Sequence, residues 1–127
     1  MAEKKKIKIL LAEDDKFLSK VMSNKLLRKG FDVIIAGDGV EAVSKINFDK
    51  PDLVLLDLVM PNKDGFGVLE DIKKEGKFKK MPIIVLSNLG QDEDVKKAKS
   101  LGATDYMVKS DMPINEVILK IEKLLKK

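Results

Sequence analysis

The chain contains no cysteine and no histidine. Without cysteine there is no disulfide framework, thiol nucleophile or thiolate metal site, and without histidine no imidazole for catalysis, metal binding or phosphoryl carriage. Any chemistry falls to carboxylates, hydroxyls and lysines. Arginine is nearly absent too, with Arg28 alone, and there is no tryptophan and one tyrosine. A nucleic-acid reader draws on arginine forks and aromatic stacking. The net charge of +4, concentrated in lysines at positions 4–8 and 120–127, therefore reads as solvated ends and argues against direct nucleic-acid binding. No apolar run approaches the roughly 20 residues that span a bilayer. Met1-Ala2-Glu3-Lys4-Lys5-Lys6 leads into a short strand-like segment rather than a signal-peptide core. The expectation is a soluble, cytoplasmic protein with no membrane partner.

What the chain does contain suits a globular fold. Its 127 residues, 44% hydrophobic and 36% charged, match one compact domain with a buried core, taken as residues 1–127. Five segments rich in aliphatic and β-branched residues recur: Ile7 to Ala12, Phe31 to Ala36, Leu53 to Leu56, Ile83 to Leu86 and Asp105 to Val108. The third and fourth are unbroken apolar runs, as central strands of a parallel sheet covered on both faces require. Helical spacing fills the intervals, clearest where Ile114, Val117, Ile118, Ile121, Leu124 and Leu125 fall on one stripe. Gly30 ends the first helical stretch, Asp38-Gly39 opens the second, Gly102 closes the fourth, and Ser110 or Asp111 caps the last. Five βα units in series predict an α/β, flavodoxin-like (βα)5 three-layer sandwich: a five-stranded parallel sheet of order 2-1-3-4-5 with right-handed crossovers.

Ligands of such sheets gather beyond the carboxyl ends of the strands. There the chain places Glu13-Asp14-Asp15, Asp57, Ser87-Asn88 and Lys109-Ser110. Clustered carboxylates repel unless a cation sits among them, and oxygen-only ligands with room for phosphate favour magnesium. Taken alone, Asp14 or Asp15 reads equally well as a helix N-cap, and Lys109 as an exposed charge. Their joint presence with Asp57 favours a metal and phosphoryl site.

The blocks Leu10-Leu11-Ala12-Glu13-Asp14-Asp15, Leu55-Leu56-Asp57-Leu58-Val59-Met60-Pro61 with Gly65, Val85-Leu86-Ser87, and Asp105-Tyr106-Met107-Val108-Lys109 resemble the signature segments of response-regulator receiver domains over nearly the whole chain. The resemblance implies that Asp57 accepts a phosphoryl group from a sensor histidine kinase or phosphotransfer protein. It implies magnesium held by Asp14, Asp57 and the Val59 carbonyl, with Glu13 acting largely through water, and Asp15 as a helix-start residue. Lys109 supplies fixed positive charge, Ser87 the switch hydroxyl beside the Asn88 amide, and Tyr106 the aromatic that turns inward. Such domains signal through the fourth helix, fifth strand and fifth helix, here about Gln91 to Lys127, to an output partner that the sequence does not name. They switch rather than turn over an external substrate, catalysing only their own phosphorylation and dephosphorylation. Ser110 departs from the family's usual proline after a cis bond, and Asn88 is bulkier than the residue common there.

A nucleotide-binding domain is disfavoured, because no GxxxxGK[ST] loop or GxGxxG turn follows the first strand. An aspartyl phosphatase needs a second acid two residues after its nucleophile, where Val59 stands. Two alternatives stay open: a receiver-like interaction module that is not phosphorylated, and a receiver cut from a longer transcriptional regulator.

Overall fold

The computed structural model describes residues 6–109 and 113–125. Among them five strands alternate with five helices: β1 Lys8–Ala12, α1 Lys16–Arg28, β2 Asp32–Ala36, α2 Gly39–Asp49, β3 Leu53–Leu56, α3 Gly65–Glu75, β4 Ile83–Ser87, α4 Asp92–Ser100, β5 Asp105–Val108 and α5 Ile114–Leu125. All strand pairs are parallel and the order is β2-β1-β3-β4-β5. This is the expected flavodoxin-like topology. Boundaries move by one residue: β1 and β2 start after Ile7 and Phe31, and β4 extends to include Ser87. The Lys109–Ser110 bond and the cap expected from Ser110 or Asp111 lie outside the described residues.

Strand alternation sorts the core into two layers. Ile9, Leu11, Leu53, Leu55, Ile84 and Leu86 meet Met22 and Leu26 of α1 and Val117, Ile118 and Ile121 of α5. Leu10, Val54, Leu56, Ile83 and Val85 face the other way, onto Ala42 and Ile46 of α2, Val68, Leu69 and Ile72 of α3, and Ala98 of α4. Because β3 and β4 are covered on both faces, every one of their residues is buried, which is why their sequence does not alternate.

Aspartates start three helices. Asp15 Oδ1 accepts from the Leu18 N–H at 3.0 Å, Asp38 Oδ1 from Glu41 at 2.8 Å and Asp64 Oδ1 from Gly67 at 2.9 Å, each satisfying an otherwise free amide of the first turn. α4 is held more lightly. Gln91 caps it without a side-chain hydrogen bond, and Ala98 is its one buried residue. The free edge of β2 is not bare: Lys45 Nζ donates to the outward Ile35 carbonyl at 2.7 Å. No helix among the described residues is long and apolar enough to cross a membrane.

Candidate functional site

The buried run of β3 ends at Asp57, whose N–H donates to the Ala12 carbonyl at 3.0 Å and so sets it beside the end of β1. The next residue of that neighbouring strand is Glu13, anchored in turn by its N–H on the Ala36 carbonyl at 3.0 Å. Parallel register thus delivers the acids to one edge. Glu13 is 4% and Asp57 6% exposed, Asp14 is exposed, and one carboxylate oxygen of each lies within 4.8 Å of the others. Lys109, just past β5, reaches across the end of β4 to the acids beyond it. Its Nζ lies 2.5 Å from Glu13 Oε1 and 3.1 Å from Asp57 Oδ2.

Three carboxylates meet one ammonium, so the cluster carries excess negative charge. Burial pushes the Glu13 carboxyl above the usual glutamate range, against the hydrogen bonds from Lys109 and the Asp15 N–H, while nearby Asp57 pushes it further up. Burial alone would depress Lys109; its contacts with Glu13 and Asp57 outweigh that and hold the ammonium above the usual lysine range. It is a fixed charge at neutral pH. An all-oxygen acidic triad of this spacing fits a hard divalent cation such as magnesium, which would relieve the remaining repulsion.

The loop after Asp57 is braced from outside. Asn62 adopts φ +69°, the Lys63 N–H donates to the Pro61 carbonyl at 2.7 Å, and Asn62 Nδ2 donates to Asp38 Oδ2 at 2.7 Å. This is a tight three-residue turn tied to the cap of α2. Two close approaches hold it. A Cβ on Gly39 would lie 2.0 Å from the Lys63 carbonyl oxygen, and one on Gly65 2.4 Å from that of Asp57, so only glycine fits either place. Val59 is exposed; its N–H donates to Asp57 Oδ1 at 3.3 Å.

Ser87 is fully buried, and its Oγ accepts from the Leu89 N–H at 3.3 Å. The Leu89 carbonyl accepts from the Tyr106 hydroxyl. Leu89 therefore links the end of β4 to Tyr106, while its side chain both packs on the core and lines the cleft. Burial, with Asp94 and Asp57 nearby, pushes the Tyr106 hydroxyl above the usual tyrosine range. The cleft has a volume of about 470 Å³ and gathers Glu13, Asp14, Asp57, Val59, Ser87 and Lys109. Asn88 also borders it and is exposed; Tyr106 is half-buried and is tied to the cleft through its hydrogen bond to Leu89. Asp15 takes the helix-cap place expected of it. Sequence reasoning missed the brace of Asp38 and Asn62 and the close seat of Gly39. Asp38-Gly39 signalled a helix start only, and asparagine's tolerance of positive φ was the one available sign of the turn.

A family described as the response regulator receiver domain matches residues 9–122. The probable transcriptional regulator ycf27 of Cyanophora paradoxa is 37% identical over 122 residues, 96% of this chain and 49% of that protein. The chain spans about half the length of the curated relatives it matches. Among solved structures, the Francisella response regulator 1452 receiver domain superposes with a TM-score of 0.86 at 32% identity, over 93% of this chain and 95% of that one. The BeF3-activated N-terminal receiver domain of Klebsiella pneumoniae RstA gives 0.85 at 30% identity, over 94% and 99%.

Proposed function

The chain belongs to the response regulator receiver family of two-component signalling, and on that footing we propose that Asp57 accepts a phosphoryl group from a sensor histidine kinase or phosphotransfer protein, and that the result is a change in a partner-binding surface. One observation carries the reading: the Asp57 carboxylate, almost buried, stands within 4.8 Å of two further carboxylates and 3.1 Å from the Lys109 ammonium.

A carboxylate oxygen of Asp57 attacks phosphorus, the donor's P–N bond breaks, and an acyl phosphate remains on Asp57. Asp14, Asp57 and the Val59 carbonyl would hold magnesium, with Glu13 reaching it through water, and the bound ion would supply charge stabilisation for the phosphoryl oxygens. Lys109, already 3.1 Å from Asp57, stabilises the same charge with little reorganisation. Ser87 Oγ, now accepting from Leu89, has its own hydrogen to donate to a phosphoryl oxygen. Drawing Ser87 toward phosphate pulls on Leu89, and through its carbonyl on Tyr106. That path leads to α4, β5 and α5, so the region Gln91 to Lys127 is the proposed output surface. Any role in transcription belongs to the longer relatives as whole proteins.

Acetyl phosphate with magnesium should add one phosphoryl group by intact mass. Asp57→Asn should abolish the gain, and an undiminished gain would place the acceptor elsewhere. Asp14→Ala should lose magnesium binding by calorimetry; retained affinity would remove Asp14 from the ligand set.

A further inference from the structure

β4 connects two different ends of the molecule. Ser87 at its finish borders the acidic cleft, while Ile83 at its start borders a second cavity of about 260 Å³ between the C-terminal ends of α3 and α4. Four residue steps at about 3.3 Å each put the two roughly 13 Å apart. The second cavity has an apolar floor of Ile72, Phe78, Met81, Ile83 and Leu101, and Lys73 and Lys79 border it. Its volume falls below the range of about 300–1,000 Å³ typical of sites for drug-sized molecules, and suits one or two inserted side chains.

The surrounding charge is of one sign. Residues 71–82 carry Lys73, Lys74, Lys77, Lys79 and Lys80 against Asp71 and Glu75. Both acids are already engaged, Asp71 by Lys63 at 2.5 Å and Glu75 by Lys77 at 3.4 Å. The last turns of α4 add Lys96, Lys97 and Lys99 and no acid. Lysines at helix C-termini have a local use, since they complement the helix dipole; Lys73 illustrates it, donating to the Ser100 carbonyl at 3.0 Å. Lys79 and Lys80 serve no helix end, and among the described residues neither joins an ion pair. They supply positive charge beyond what the fold uses.

We propose that this α3–β4–α4 cavity is a docking site for an acidic protein segment that inserts one apolar side chain between Phe78, Met81 and Leu101 while its carboxylates meet Lys73, Lys79 and Lys80. The site is separate from the carboxylate cleft, and one of its walls is the most lightly anchored helix of the fold. Apolar anchoring supplies affinity, and the lysines choose the sign of the partner and speed its arrival.

The probe is a synthetic peptide of glutamate, aspartate and serine with one central phenylalanine, titrated into isotope-labelled protein and followed by amide NMR. Saturable shifts are expected at Gly76, Phe78, Ser100 and Gly102. Replacing the peptide's phenylalanine by alanine should weaken binding about tenfold or more, the burial of one aromatic side chain. Lys73→Glu with Lys79→Glu, at unchanged circular dichroism, should remove saturation, and Lys79→Arg should keep it. The proposal falls if the shifts ignore the phenylalanine, if they map to another face, or if millimolar peptide causes none. It falls equally if a DNA duplex or anionic vesicles bind these residues more tightly than the peptide, because a charged surface without an apolar anchor would then explain the lysines.

Discussion

Adding a single methyl group at Gly65 should disable the site while leaving every side chain of the site unchanged. A Cβ there would stand 2.4 Å from the Asp57 carbonyl oxygen and 2.8 Å from Leu58 Cα, about 1 Å inside ordinary contact. Both obstacles are backbone, and the Gly65 N–H is bound to the Leu58 carbonyl at 2.9 Å, so neither side yields by a rotamer change. Overpacking of this kind costs about 1–3 kcal/mol, against a gain of up to about 1 kcal/mol for alanine over glycine in a helix. With the full helix gain the expected balance is a loss of up to about 2 kcal/mol, read from urea unfolding. Function should suffer more than stability. A shift of about 1 Å in Asp57 spoils its 3.1 Å contact with Lys109, and misplacement on that scale costs roughly a hundredfold in rate. Acetyl phosphate labelling followed by intact mass measures it. Gly67→Ala, two residues on, is the control, because its Cβ would press on the Lys63 side chain at 2.8 Å and on no backbone outside its own helix. Moving that side chain forfeits at most a partly exposed ion pair, so stability should stay within about 1 kcal/mol and labelling near the parent rate. Parent-like labelling and stability in Gly65→Ala would refute the reasoning.

Lys109→Ala should leave far-UV circular dichroism nearly unchanged, because the side chain holds charge rather than core, yet impair phosphorylation or the response to it; full activation by a phosphoryl mimic would remove Lys109 from its role. Asp105 gives a pH test. Burial would raise its carboxyl, but Lys120 at 2.7 Å and the Tyr106 N–H at 2.8 Å outweigh that and hold it below the usual aspartate range. The unfolded chain therefore takes up the proton first, so this contribution to stability is present above the ordinary aspartate range and is lost as pH falls through the folded value. Asp105→Asn should flatten that part of the urea-midpoint profile, and an unaltered profile would dismiss the ion pair. Finally, Val59 and Leu89 are apolar residues lining the cleft that holds Asp57, and if Asp57 carries an acyl phosphate neither can orient a water that attacks it. Val59→Asn with Leu89→Glu should shorten the lifetime of the phosphorylated protein; equal or slower decay would show that these positions have no such influence.

Much of the architecture was legible because the sheet is parallel and doubly covered. Leu53 to Leu56 and Ile83 to Leu86, short and unbroken, read as interior strands, and the polar residues that ended them marked the cleft directly. Asp57 and Ser87 were readable for this reason. Lys109 was not readable alone; its meaning depends on reaching across β4, a contact between residues 52 apart in sequence. The least legible parts were those where backbone meets backbone. Nothing in the letters around Gly39 reports the Lys63 carbonyl, because close approach leaves no compositional trace beyond a glycine that already had a reason to precede a helix. The union of Ser87, Leu89 and Tyr106 was half legible: hydroxyl and ring were foreseen, but the linking carbonyl belongs to a residue noticed only for its apolar side chain.

The Lys45 ammonium resting on the Ile35 carbonyl has a bearing on crowding. Ile35 is partly exposed on a strand whose outer side has no strand partner among the described residues, the arrangement through which sheets of separate molecules zip together. A cation planted on the outward carbonyl makes any arriving strand displace it and then lie beside a positive charge. Pairing of separate molecules through β2 is discouraged in this way even where they are packed densely, and the protection of that edge rests on one lysine.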